Sequence, residues 1–303
     1  MRSSNGALDF YARAATMSAA GRHAARLDLL PDDLPVLVRI VQGLVLHEFT
    51  AWVLYGVKVP GARRQESHLR SVEQMLDRIL ELDTRPLHLA RPAPLRLVGV
   101  CHHFALLLVA MLRAKGIPAR ARWGFGAYFN PPYFEDHVVC ETWLAREARW
   151  ILVEAQVDEA WQAQPGFDFD ILDVSPDRFL VAAEAWSRCR SGLSDPSRFG
   201  IFEGNLRGQW FIARSLMKDA AALVKQETLP WDVWGAMPRP GEILDCEQLA
   251  FFDQLADLTR SPDPDLAQLR RLFSSDRRVV IPATVYNAVT GREEAFEPQA
   301  QLQ

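Results

Sequence analysis

Hydrophobic positions are spread unevenly along the chain, and the densest stretch, residues 101–115, is apolar nearly all the way round. It ends at Gly116 and Ile117-Pro118, a glycine followed by a breaker, so the pattern predicts a helix buried at the centre of a domain. Upstream the pattern is one-sided. Leu34, Val36, Leu37, Ile40, Val41, Leu44 and Val45 recur at helical spacing after Pro31-Asp32-Asp33, predicting a core helix over residues 32 to about 57. Leu69, Val72, Met75, Leu76, Ile79 and Leu80 repeat at three and four residues, predicting a second helix over about 66–82 with charges on its outer face. Pro86, Pro92 and Pro94 then impose an extended connection, because proline lacks a backbone donor and disfavours helix in the residue before it.

Beyond Pro118 the period changes from helix to strand. Residues 119–129 read as a strand with a glycine-containing bend, and residues 136–144 and 149–153 as two more around the polar turn 145–148, making a short antiparallel sheet. The rest reads as mostly helical, over 209–226, 246–259 and 265–273, with a late strand over 279–282 and a frayed polar end after about Glu294. The fold class expected is α+β: a central helix packed on a short antiparallel sheet, with helical elaborations at both ends. Three segments follow, a helical region over 1–94 packed on the core, a core over 95–160 and a mostly helical extension over 161–303.

Composition narrows the function classes. With 49% hydrophobic and 24% charged residues the chain resembles ordinary globular proteins and not disordered ones. Its 34 basic and 38 acidic side chains give a net charge of -4 without long single-sign runs, which argues against nucleic acid as a partner. The longest apolar run, residues 104–112, falls short of the ~20 residues that cross a bilayer, which argues against a membrane partner. Arg2, Asp9, Arg13, Arg22 and Arg26 interrupt the first 30 residues, so no secretory segment is expected and the location expected is cytoplasmic. Cys101, Cys140, Cys189 and Cys246 form no CxxC pair, so neither a disulfide framework nor a thiolate zinc site is indicated.

Candidate chemistry centres on Cys101. At the opening turn of a buried helix, unpaired backbone N–H groups and the positive end of the helix dipole favour a thiolate and can also stabilise a tetrahedral oxyanion. A thiol nucleophile needs a base and a group to orient it. If Leu144 and Arg149 flank the turn, His137 and Glu154 share one face of the hairpin, together with Val139, Glu141, Trp143, Trp150 and Leu152. Cys140 has the opposite parity and faces away. Trp123, Tyr128, Phe129 and Tyr133 are the candidate substrate-binding residues; Tyr128, Phe129, Tyr133 and Phe134, around Pro131-Pro132, read equally as an aromatic lip over the thiol or as core. His102-His103 invites a metal reading, but adjacent helical residues point about 100° apart and do not readily share an ion. Gly124-Phe125-Gly126 lacks the helix and lysine of a phosphate loop.

Several of these residues also resemble a known family. Gly99-Val100-Cys101 with the apolar helix after it, Leu112-Arg113-Ala114-Lys115-Gly116-Ile117-Pro118-Ala119-Arg120, Asp136-His137-Val138-Val139 and Arg149-Trp150-Ile151-Leu152-Val153-Glu154-Ala155-Gln156 are together similar to the bacterial transglutaminase-like domain, over roughly residues 95–160. The resemblance implies a papain-like fold and a Cys-His-Asp triad carried over to Cys101 and His137, with Glu154 where the family has aspartate. That position departs from the pattern, and Asp158 is the reserve candidate. The activity implied is acyl transfer at an amide, ester or thioester without cofactor or metal, on a peptide, amide or acyl-thioester substrate. Hydrolysis or transamidation leads, amide-bond synthesis in a biosynthetic pathway is a variant, and an inactive binding module of the same fold is the rival. Nothing in the sequence sets the oligomeric state.

Overall fold

Residues 2–296 are described by the computed structural model, and they fall into two units: residues up to 121 with 139–174, and residues 122–138 with those from 175 onward. The first unit begins with helices α1 (Arg2–Tyr11), α2 (Ala24–Asp28) and α3 (Leu34–Leu44). Asp33 starts α3 by accepting the Val36 N–H at 2.9 Å. The helix expected over 32–57 stops at Leu44. Val45 turns extended and opens strand β1 (Val45–His47), and a short helix α4 (Ala51–Tyr55) follows. The partner of β1 is β2 (Leu97–Gly99), parallel, with Val45 opposite Leu97 and His47 opposite Gly99. A run of apolar residues fits a buried helix or a buried strand equally, and the strand that decides between them lies far along the chain.

The second expected helix is also displaced. Residues Gly61–His68 form 3-10 turns, and α5 (Val72–Leu82) begins only after Ser71. There the Ser71 side chain accepts the Gln74 N–H while the Gln74 side chain accepts the Ser71 N–H, a reciprocal cap that fixes the start. The central helix forms nearly as expected: α6 (Cys101–Ala114) starts from an extended Val100 and closes at Gly116, whose φ of +68° suits glycine. Strands β3 (Ala119–Gly126) and β4 (Phe134–Leu144) run through both units, and β5 (Arg149–Val153) completes the hairpin in the first. Its register pairs Leu144 with Arg149, Trp143 with Trp150, Glu141 with Leu152 and Cys140 with Val153. Helix α7 (Glu159–Gln162) follows.

In the second unit the chain continues through β6 (Phe179–Val181), α8 (Ala182–Arg190), β7 (Phe199–Ile201), β8 (Leu206–Arg207) and α9 (Gln209–Leu223). It ends with β9 (Asp232–Val233), α10 (Cys246–Thr259), α11 (Leu266–Ser275), β10 (Thr284–Asn287) and β11 (Arg292–Ala295). The sheet here is larger than the antiparallel one expected, with order β6-β3-β4-β7-β8, and it is mixed because β7 runs parallel to β4. Its added strands are two or three residues long, too short for an alternating pattern to show. Gly124 permits the β3–β6 approach, since a Cβ there would lie 2.1 Å from the Leu180 carbonyl oxygen. Asp219 of α9 ties that sheet down: it takes Arg122 through two bonds of 3.0 Å and the Trp123 N–H at 2.9 Å.

Residues 279–282 are not a strand; the late strands are β10 and β11, and β10 lies between β11 and β9 in a separate sheet. Glu294 lies within β11 opposite Val285, and the frayed end expected beyond it falls, after residue 296, outside the described residues. The architecture is α+β. Among the described residues no helix is long and apolar enough to cross a membrane.

Candidate active site

In the first unit the site is built from the strand that delivers Cys101. The buried Glu66 carboxylate accepts the Val98 N–H at 2.8 Å, two Arg63 bonds at 2.8 Å and the Arg78 Nε at 3.0 Å, clamping β2 just before the helix. Burial alone would raise the Glu66 carboxyl, but Arg63, Val98 and Arg78 outweigh it and hold it below the usual range. Val100 follows in extended conformation, and Cys101 is the first residue of α6, 8% exposed. Its sulfur therefore stands at the positive end of a helix that is otherwise buried.

His103, the third residue of α6, shapes that start. Its Nδ1 accepts the Val100 N–H at 3.1 Å, and Gly99 leaves it room, since a Cβ at Gly99 would meet the His103 Cβ and Cγ at 2.9 Å. Burial pushes the His103 imidazole down to about 4, against smaller opposing effects of the Val100 and Leu69 backbones, so the ring is neutral at pH 7. The sequence weighed His103 only as a metal ligand. Its position at the third residue of the helix, where a side chain reaches back to the first free N–H, is the signal that could have found it.

Glu154 lies just past β5, fully buried, donating its N–H to the Ile171 carbonyl at 2.8 Å and accepting the Gln156 N–H on Oε1 at 2.9 Å. Asp158 has other partners. Its Oδ1 caps α7 through the Ala160 and Trp161 N–H groups, and its Oδ2 accepts the Tyr55 hydroxyl at 2.6 Å. Cys140 pairs with Val153 in mid-strand, and burial pushes its thiol well up.

His137 belongs to the second unit, on β4, where it is 2% exposed. Tyr128, Phe129 and Phe179 surround its ring with centroids at 6.1, 4.8 and 6.2 Å, each edge-to-face. Two of the four expected substrate residues thus pack on the imidazole. Tyr133 sits instead against Phe202, centroids 4.5 Å apart, with the Arg207 guanidinium 5.4 Å above its ring. Trp123 is fully buried, with the Lys218 ammonium 5.2 Å over its face. Phe179 and Phe202 escaped the sequence reading because the short strands that carry them, or that lead to them, were not visible. Next to His137, burial raises the Asp136 carboxyl against the opposing pull of Lys218, His137 and the Ser215 hydroxyl, which donates to it at 3.3 Å. Among the described residues no group of three or more His, Cys, Asp or Glu is arranged to hold a metal ion.

Residues 61–155, about a third of the chain, match the family model described as the transglutaminase-like superfamily, and the chain is similar to that family there. The match spans Cys101, His137 and Glu154 and supports a cysteine-based enzyme in general. None of the curated proteins matches the chain. Among solved structures, a proposed cysteine protease from Cytophaga hutchinsonii is similar at 22% identity and a TM-score of 0.18; the alignment covers 43% of each chain, less than half the length of either.

Proposed function

We propose that this chain is a cysteine-dependent acyl-transfer enzyme in which Cys101 attacks an amide, ester or thioester carbonyl, His137 accepts and returns the proton, and Glu154 holds the imidazole. The observation that carries this reading is that Cys101 is the first residue of a buried helix inside the transglutaminase-like match. As the Cys101 Sγ–C bond forms, its proton passes to His137 and the carbonyl oxygen gains a negative charge that first-turn N–H groups of α6 can stabilise. Collapse breaks the bond to the leaving group, which departs with the proton from His137 and leaves an acyl-enzyme. Water or an amine then attacks that ester of sulfur and frees the thiol.

Parity supports the choice of Glu154. The observed ladder pairs Glu141 with Leu152 and Trp143 with Trp150, so one further step of two would set Glu154 against Val139, and His137 is the next β4 residue of that parity. Asp158 is the weaker partner, because both of its oxygens already serve Tyr55 and α7. The extra methylene of glutamate over aspartate calls for an imidazole set slightly further from the strand. Phe129 and Tyr133 remain candidates for touching substrate, whereas Trp123 acts through packing.

Water is the simpler acceptor, and hydrolysis or deamidation is the first activity to test. Glutamine amides, peptides and acyl thioesters are to be incubated with the protein, with and without a primary amine, while ammonia, cleavage products, conjugates and protein mass are followed. An acyl adduct mapped to Cys101 and lost in Cys101→Ala is the expected result. Turnover undiminished in that variant would overturn the reading.

A further inference from the structure

We propose that His103 is a positioning residue for Cys101: its imidazole holds the Val100 N–H and so fixes the turn that presents the thiol, without adding a negative charge to the helix end that holds the sulfur. The proposal rests on the reading of Cys101 as nucleophile. A residue at the third helical position that reaches back to the N-cap N–H is usually glutamate or glutamine. A glutamate there would be attracted to the same positive helix end as the Cys101 sulfur, and the two negative charges, two residues apart in the first turn, would oppose each other. Imidazole Nδ1 supplies the acceptor and no charge.

Three independent features fix the ring. Its Nδ1 takes the Val100 N–H at 3.1 Å. The His102 ring meets it edge-on, centroids 5.6 Å apart at 85°. Gly99 is the residue that leaves space for its Cβ and Cγ, at 2.9 Å from where a side chain would begin. The titratable groups that face it are His102 on its own helix and His68 from the segment ahead of α5, beside the backbone of Leu69. Accepting from Val100 requires Nδ1 to be without a proton, so the ring carries its hydrogen on Nε2.

Two measurements test this. The first needs no variant: ¹⁵N spectra of histidine-labelled protein should show His103 neutral and protonated on Nε2 from pH 7.5 to 5.5, and a proton on Nδ1 or a charged ring in that range would overturn the proposal. The second is the rate of Cys101 alkylation by iodoacetamide at pH 6.5, read by peptide mapping, in wild type, His103→Gln and His103→Glu, each checked for a folded circular dichroism spectrum. Alkylation forms the S–C bond and expels iodide, so it reports the sulfur independently of any substrate. His103→Gln should stay within about threefold of wild type and His103→Glu should be about tenfold slower or more, a difference of one pK unit in effective charge interaction. Equal rates in the two variants would overturn the proposal. A wild-type rate no higher than that of a model thiol, with the ¹⁵N result intact, would instead sink the nucleophile reading.

Discussion

The head of α6 and the middle of β4 each bury a cysteine in the same unit, yet the two surroundings prepare them for different work. Cys140 is flanked by sheet, paired with Val153 and fully buried, and the opposing pull of the Arg113 charge is smaller than the loss of water, so burial drives its thiol up and leaves it inert. Cys101 is nearly as buried at 8% exposed, but it opens a helix, where N–H groups and the dipole replace part of what water would supply. Burial depth thus says little about a thiol; the direction of the backbone beneath it says more. The same unit spends two side chains on keeping that direction, Glu66 on the strand and His103 on the turn.

The widest separation between the two cysteines should appear in turnover. Cys101→Ala should lower kcat/KM by at least about 10⁴-fold, whereas Cys140→Ala should leave it within about threefold, measured on whichever substrate forms the acyl-enzyme. Next comes the clamp. Glu66→Ala strands Arg63, Arg78 and the Val98 N–H, and should cost roughly 3–5 kcal/mol in urea unfolding while slowing alkylation at Cys101 and sparing Cys140.

Acid should then distinguish the two regions. His103 is depressed to about 4 in the folded chain against about 6.5 when unfolded, so its contribution is whole above pH 6.5 and is lost as pH falls toward 4, by up to about 3 kcal/mol. Glu66, held below its usual range, adds a loss only once pH falls below the ordinary carboxylate value. Urea melts at pH 7, 5.5 and 4.5 should show this slope in wild type and a shallower one in His103→Gln. The smallest effect is structural: Cys140→Ala should destabilise by about 1 kcal/mol through the lost sulfur contacts, with no change in pH slope.

How much of this could be read from the chain depends on whether the deciding partner is local. The α6 boundaries, the β4–β5 turn and its register were legible because Gly116-Ile117-Pro118, the 145–148 turn and the alternation around them all act within a few residues. The end of α3 was not, because Val45–His47 leaves the helix only to pair with Leu97–Gly99. The Ser71 and Gln74 cap was present in the sequence but was overridden by a continuous apolar stripe from Leu69. Of the candidate site, the place of Cys101 at the head of α6 and of His137 on β4 followed from local rules, whereas Glu154 lies one residue past the end of β5. The cage of Tyr128, Phe129 and Phe179 did not, since Phe179 reaches His137 only through a three-residue strand laid beside Gly124.

The central claim is that the Cys101 sulfur and the His137 imidazole act as a pair. Site-mapped alkylation of Cys101 at pH 6.5 in wild type and in His137→Ala, with the exposed Cys246 as the internal reference, tests it most directly. The account predicts a loss of about tenfold or more at Cys101 in the variant and no change at Cys246; identical Cys101 rates in the two folded proteins would contradict it.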